Sequence, residues 1–235
     1  MVPRLPDRAR VASALSVAVL ARALSSRGAR ADEARAHDDD GDTTHGRLAG
    51  DVALAPAAGV VLGPRAPRLA LDMRARYIEA VGLFVTYEDA LGQEKAEPTR
   101  ALATGVELRP LFLGRWLKGL ESRSAWMNLA VDSLGFEVGV AFLKARGIAF
   151  GDRPALQVGL GLEVPLLGVA EGPWVGAHGG LRFGESAMSG APVQGPLDRA
   201  AFVAITFAWH AYVDAHLVDR DDRRVGAQRP RSRAE

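Results

Sequence analysis

The chain has 235 residues, 48% hydrophobic and 24% charged, which is ordinary for one or two domains. No apolar run of about 18 residues occurs after residue 31, which excludes a helical membrane span there, and the absence of cysteine excludes disulfides. The formal charge of +1 carries no nucleic-acid signature, because no basic patch with interleaved aromatics accompanies it.

Residues 1–31 are expected to form an export signal. Arg4, Arg8 and Arg10 make a basic start, and residues 11–21 are apolar except for Ser13 and Ser16. Ala29-Arg30-Ala31 fits a small-x-small cleavage site before Asp32. The alternative is a short core helix or an N-terminal anchor. Cleavage removes six Arg and one Asp from 29 basic and 28 acidic residues, leaving 23 and 27, so the mature product is mildly acidic. Residues 32–49 read as an acidic disordered linker. The run Asp38-Asp39-Asp40-Gly41-Asp42 is not a calcium loop, because aligning Gly41 puts Ala36 at its first position and Arg47 at its twelfth. No metal and no cofactor are expected.

Eight strands are expected over residues 50–214. They fall at 50–62, 68–77, 82–89, 100–110, 134–142, 156–164, 174–184 and 200–213. The fifth (LGFEVGVAF) and sixth (LQVGLGLEV) show the shared code: large aliphatic residues alternate with Gly, Ala or a charge. A strand over a soluble core puts bulky residues inward and polar ones outward. Here the second face is too small and too sparsely charged for a solvated surface. It suits the cramped interior of a narrow barrel whose bulky face meets lipid.

Residues 111–133 break the rhythm. Residues 111–120 (LFLGRWLKGL) suit a short amphipathic helix at a membrane interface. Residues 124–132 form either a second helix or a bulged extension of the fifth strand. Residues 185–198 read as a Gly/Ser/Pro loop, and 215–235 as a charged disordered tail. The expected fold is therefore all-β: an antiparallel up-and-down transmembrane β-barrel of about eight strands with a short helical or irregular insert.

The inward positions carry Asp72, Arg74, Arg76, Glu88, Glu107, Arg109, Glu137, Glu163, His178, Arg182 and His210. Near balance between signs is what a packed ionic interior requires. Arg76, Glu88 and Arg109 fall near strand ends, so loops or headgroups are the alternative surroundings for these three. The other eight, Asp72, Arg74, Glu107, Glu137, Glu163, His178, Arg182 and His210, are the expected lumen network. Tyr77, Tyr87, Trp174, Trp209 and Tyr212 fall near strand ends, where interfacial aromatic belts occur.

This combination of signal peptide, strand alternation, strand count and aromatic placement resembles the small outer-membrane β-barrel proteins of Gram-negative bacteria. The resemblance covers roughly residues 50–214. It implies outer-membrane lipid as the surrounding partner and a monomer, while the inward charges with intervening Gly and Ala favour a lumen plugged by side chains over a pore. It also leaves room for an unidentified extracellular or envelope partner. The family's last strand usually ends the chain, whereas about 20 polar residues follow Tyr212 here.

Some such barrels handle lipid. The lipid A deacylases resemble this chain in size and use a His-x-Ser pair on a strand. The nearest match, His210-Ala211-Tyr212, lacks the Ser, and acyl transfer needs a nucleophile beside its base. Glu163 with His178 is the nearest candidate acid/base pair. A structural or adhesive barrel with no catalytic residues is therefore the expected function. The alternatives are a lipid-handling barrel with an atypical site and a soluble exported ligand-binding barrel. N-terminal sequencing of the exported protein is expected to begin at or near Asp32; intact Met1 protein recovered from the cytoplasm would sink the export expectation.

Overall fold

A computed structural model describes residues 52–215 except 64, 94–96, 121, 146, 148, 153, 193–196 and 214. The expected signal peptide, acidic linker and charged tail beyond residue 215 lie outside the described residues. The strands are β1 (Val52–Leu62), β2 (Arg68–Tyr77), β3 (Val81–Asp89), β4 (Arg100–Leu108), β5 (Gly135–Lys144), β6 (Pro154–Pro165), β7 (Gly172–Phe183) and β8 (Arg199–Val213). Each pairs antiparallel with the next, and β8 closes on β1. The fold is all-β: a closed eight-stranded antiparallel barrel.

The register sets the bore. One circuit of paired residues runs Pro165, Trp174, Ala208, Ala57, Asp72, Thr86, Ala103, Ala141, Ala155. It leaves β6 at residue 165 and returns at residue 155, a shear of ten residues. With eight strands this shear corresponds to a tilt of about 40° and an interior that side chains can fill. The wall is tight. Gly105 pairs with Gly139, and a Cβ on Gly105 would lie 2.2 Å from the Val138 carbonyl oxygen. Glycine there allows the strands to coil closely around each other.

Burial is inverted relative to a water-soluble barrel. Leu83 is 63% exposed on the wall, and Leu71, Leu160 and Phe207 are also exposed. Arg76, on the inner face, is 1% exposed. Small apolar residues share the interior with the charges. Phe84 packs with Ala101, Ala103, Ala141, Leu143 and Ala155, and Phe202 packs with Val61, Ala70 and Ala204.

Three short helices interrupt the strands. α1 (Pro110–Lys118) and α2 (Ala125–Asp132) link β4 to β5, and α3 (Glu185–Met188) lies between β7 and β8. Pro110 starts α1, where its missing N–H costs nothing, and Gly119 ends it with φ +60°. Ser124 caps α2 by accepting a hydrogen bond from the Met127 N–H at 3.3 Å. The segment before β5 is thus a helix and not a bulged strand, and 185–198 contains a helical turn.

Two neighbouring positions test the faces. Leu160→Arg puts a charge on the outer wall; were that wall to meet a bilayer midplane, the cost would be roughly 2–4 kcal/mol. On the inner face, a Cβ at Gly161 would meet His178 Nδ1 at 2.4 Å and Glu137 Oε1 at 2.9 Å. Gly161→Ser is therefore expected to cost about 1–3 kcal/mol by overpacking, whatever surrounds the barrel. Urea midpoints in vesicles check both: full tolerance of Gly161→Ser would reject the inward assignment of that position, and full tolerance of Leu160→Arg would reject lipid contact at the wall.

Candidate functional site

The alternation of each strand delivers one charged residue at a time to the same interior. On β2 the inward residues are Arg68, Ala70, Asp72, Arg74 and Arg76, all buried. Glu107 comes from β4, Glu137 from β5, Glu163 from β6, His178 from β7 and His210 from β8. All eight residues of the expected network are buried, and seven of them share one array.

The array alternates in sign. Arg74 donates to Asp72 at 2.7 Å, to Glu137 at 2.7 Å and to Glu107 at 3.1 Å. Arg76 donates to Glu107 at 3.0 Å and pairs with Glu163 at 2.8 Å. Arg109 donates to Glu107 at 2.9 Å, to Glu79 at 2.6 Å and to Glu163. His178 Nδ1 lies 2.8 Å from Glu137, and His210 Nε2 lies 3.4 Å from Glu163. Thr86 donates to Asp72 and Tyr212 to Glu79. A second cluster holds the eighth residue. Arg182 donates to Gln157 at 2.8 Å and to Glu88, which also accepts from Arg68 at 2.8 Å. Arg74, Arg76, Arg109 and Arg182 each meet more than one acceptor, which offsets the loss of their hydration, whereas Arg68 meets Glu88. Burial alone would lower the Arg109 pKa, but Glu107, Glu79 and Glu163 outweigh it and hold it above its ordinary value.

For Arg76, Glu88 and Arg109 the alternative was a place in loops or headgroups; all three are buried members of the clusters. The tilt carries strand-end residues back over the interior, where long side chains find partners. Trp174 was expected in an interfacial belt. It is 1% exposed and stacks on His210, with ring centroids 4.3 Å apart and planes at 8°. Its position on β7 has inward parity, shared with His178. Trp209 has the opposite parity and is exposed. Glu163 and His178 do not pair. The register sets Glu163 opposite Gly176 and His178 opposite Gly161, so His178 reaches Glu137 on β5 instead.

Three members escaped the sequence reading. The parity of β2 would have found Arg68. Gln157 shares the inward parity of Glu163 but carries no charge to attract notice. Glu79 sits in the three-residue turn between β2 and β3, where no strand period applies. Ile78 and Glu79 both adopt positive φ there, 49° and 53°, an unusual conformation for side chains other than Gly, Asn or Asp. That turn folds Glu79 back onto Arg109.

One arrangement has catalytic composition. A Cβ at Gly176 would lie 2.5 Å from Thr206 Oγ1 and 2.8 Å from His178 Nε2, so both side chains converge on this glycine. With Glu137 on Nδ1, a carboxylate, a His and a hydroxyl stand together, a set that strand spacing alone did not disclose. His178 Nε2 and Thr206 Oγ1 make no hydrogen bond, and both residues are buried. Activation of the hydroxyl needs that bond and a route for substrate. Among the described residues no three His, Asp or Glu side chains have metal-binding geometry.

No protein-family model matches the chain, and no curated protein matches it.

The array makes a sharp stability prediction. Glu163→Gln removes the charge shared by Arg76, Arg109 and His210. It is expected to cost about 3–5 kcal/mol in equilibrium urea unfolding, because it strands buried cations. A loss below about 1 kcal/mol would mean that these groups are not desolvated in the folded protein.

Proposed function

We propose that this chain is an outer-membrane β-barrel with a lumen closed by its own side chains, and that its role is structural or surface-interacting and not catalytic. The observation that carries the reading is the inverted burial: Leu71, Leu83, Leu160 and Phe207 stand on the wall while Arg76, Glu107 and Glu163 are sealed inside. Water-soluble proteins rarely expose a continuous apolar surface of this kind, and lipid removes the penalty. Strand lengths of 9 to 15 residues suit a tilted crossing of the hydrocarbon layer. Guanidinium groups occupy the barrel interior, which supports a plugged lumen over a conducting one. On this reading the surrounding partner is membrane lipid, and the rims are the surfaces left to meet other molecules.

A lipid-handling enzyme is the second reading, and the convergence of Glu137, His178 and Thr206 is what favours it. Burial of the set favours the first.

Two measurements test the proposal together. The protein is expected to require detergent or lipid, and its unboiled form to migrate differently from its boiled form on a denaturing gel. A protein that stays monomeric in buffer without detergent would overturn the membrane reading. Purified barrel is expected to release no fatty acid from phospholipid or lipid A. If release is found and vanishes in Thr206→Ala or His178→Ala with the barrel still folded, the second reading replaces the first. Otherwise His178→Ala should show only a stability loss of about 1–3 kcal/mol, from an unsatisfied buried partner.

A further inference from the structure

The helical hairpin between β4 and β5 repeats the inversion of the barrel. Leu113, Trp116 and Leu117 recur at the i, i+3, i+4 spacing of one face of α1, and Leu120 follows its Gly119 cap. In a water-soluble protein such a stripe faces the core. Here all four are exposed, Leu117 at 75%. The opposite face of α1 carries Phe112, which is fully buried, and Arg115. Arg115 pairs with Asp132 of α2 at 2.7 Å and donates to the Asn128 side chain, both buried. Asn128 in turn accepts from the Ser122 N–H at 2.7 Å and donates to the Ser122 carbonyl at 2.8 Å. The hairpin thus keeps the polar bonds of Arg115, Ser122 and Asn128 inside and the α1 leucines outside.

Its outer face is continuous with other apolar surface. α1 follows the exposed Leu108 at the end of β4, and the exposed Phe136 opens β5 just beyond α2. Trp126 and Met127 of α2 are exposed, and the Trp126 indole N–H donates to the Pro165 carbonyl at 2.9 Å, fastening α2 to the end of β6. The β6–β7 loop on that same rim exposes Leu166 and Leu167. Lys118 and Arg123 are exposed beside the stripe, where cations reach headgroup phosphates.

We infer that the α1–α2 hairpin is a membrane-interface anchor: its leucine and tryptophan face lies in the lipid monolayer on the rim where the barrel's termini emerge. The occupant of the face is lipid, argued from its continuity with the apolar wall. The inference rests on the membrane reading above. Immersion is about 5–10 Å, to the boundary of headgroups and acyl chains.

The chain lacks cysteine, so single cysteines can be placed for labelling. Leu83→Cys on the wall, Leu117→Cys on the hairpin and Arg123→Cys on its polar edge are each labelled with an environment-sensitive fluorophore. The full chain is then folded into phosphatidylcholine–phosphatidylglycerol vesicles containing nitroxide lipids of known depth. Leu113→Cys replaces Leu117→Cys if the latter fails to fold. The expected result is deep quenching at position 83, shallow quenching with blue-shifted emission at 117, and water-like emission at 123. Quenching at 83 with water-like emission at 117 overturns the anchor, leaves the membrane reading standing, and frees the face for a protein partner. Water-like emission at 83 and 117 in a folded barrel overturns both.

Discussion

Everything in this barrel follows from its narrow bore. Eight strands with a shear of ten enclose a narrow space of a width that side chains can fill. A charge placed there loses its hydration and must find compensation within a few ångströms. Arginine suits the task because its planar fork serves several carboxylates at once, as Arg74 does with Asp72, Glu107 and Glu137. The glycines and alanines on the same face supply the volume these long side chains need. Gly161 and Gly176 leave no room for a methyl group beside His178.

Two kinds of interaction then divide the specification of the fold. The apolar alternation sets which face of each strand looks outward, since a slip of one residue would turn every leucine inward and every charge outward. A slip of two residues preserves the faces, so apolarity alone leaves it nearly free. The ion pairs oppose it. Sliding β6 by two residues against its neighbours would draw Glu163 away from Arg76 and Arg109 and strand three buried charges. The polar interior therefore selects among registers that the wall does not distinguish. The turn after β2 shows the cost of this arrangement. Ile78 and Glu79 hold strained positive φ values, and the bonds from Glu79 to Arg109 and Tyr212 offset that strain.

The strands were legible because period two is a local property, carried by stretches such as 156–164. The two candidate helices were half legible, because α1 has a clear stripe whereas α2 is short and its residues also suit a strand extension. Partner choice was not legible at all. His178 and Glu163 lie on adjacent strands, yet their pairing depends on register, and register depends on charges contributed by β2, β4 and β5. Trp174 and Trp209 show the same limit in reverse. Both sit near strand ends and both are aromatic, so location alone suggested one role. Parity separates them, sending one onto His210 and the other onto the wall.

The inversion has one further consequence for how the protein works. A barrel that binds a ligand inside must trade packing for an accommodating cavity. Here most interior charges are paired with one another, so removing a shared carboxylate such as Glu107 or Glu163 weakens several pairs at once. Evolution can alter such an interior only by changing partners together, whereas loops and outer faces answer to no such coupling. On the proposed reading, variation in function therefore belongs to the rims and the lipid-facing surface. Among the described residues the α1–α2 hairpin is the longest insertion between strands, and the polar contacts of Arg115 and Asn128 are made within it, which leaves its apolar face to meet whatever surrounds the barrel.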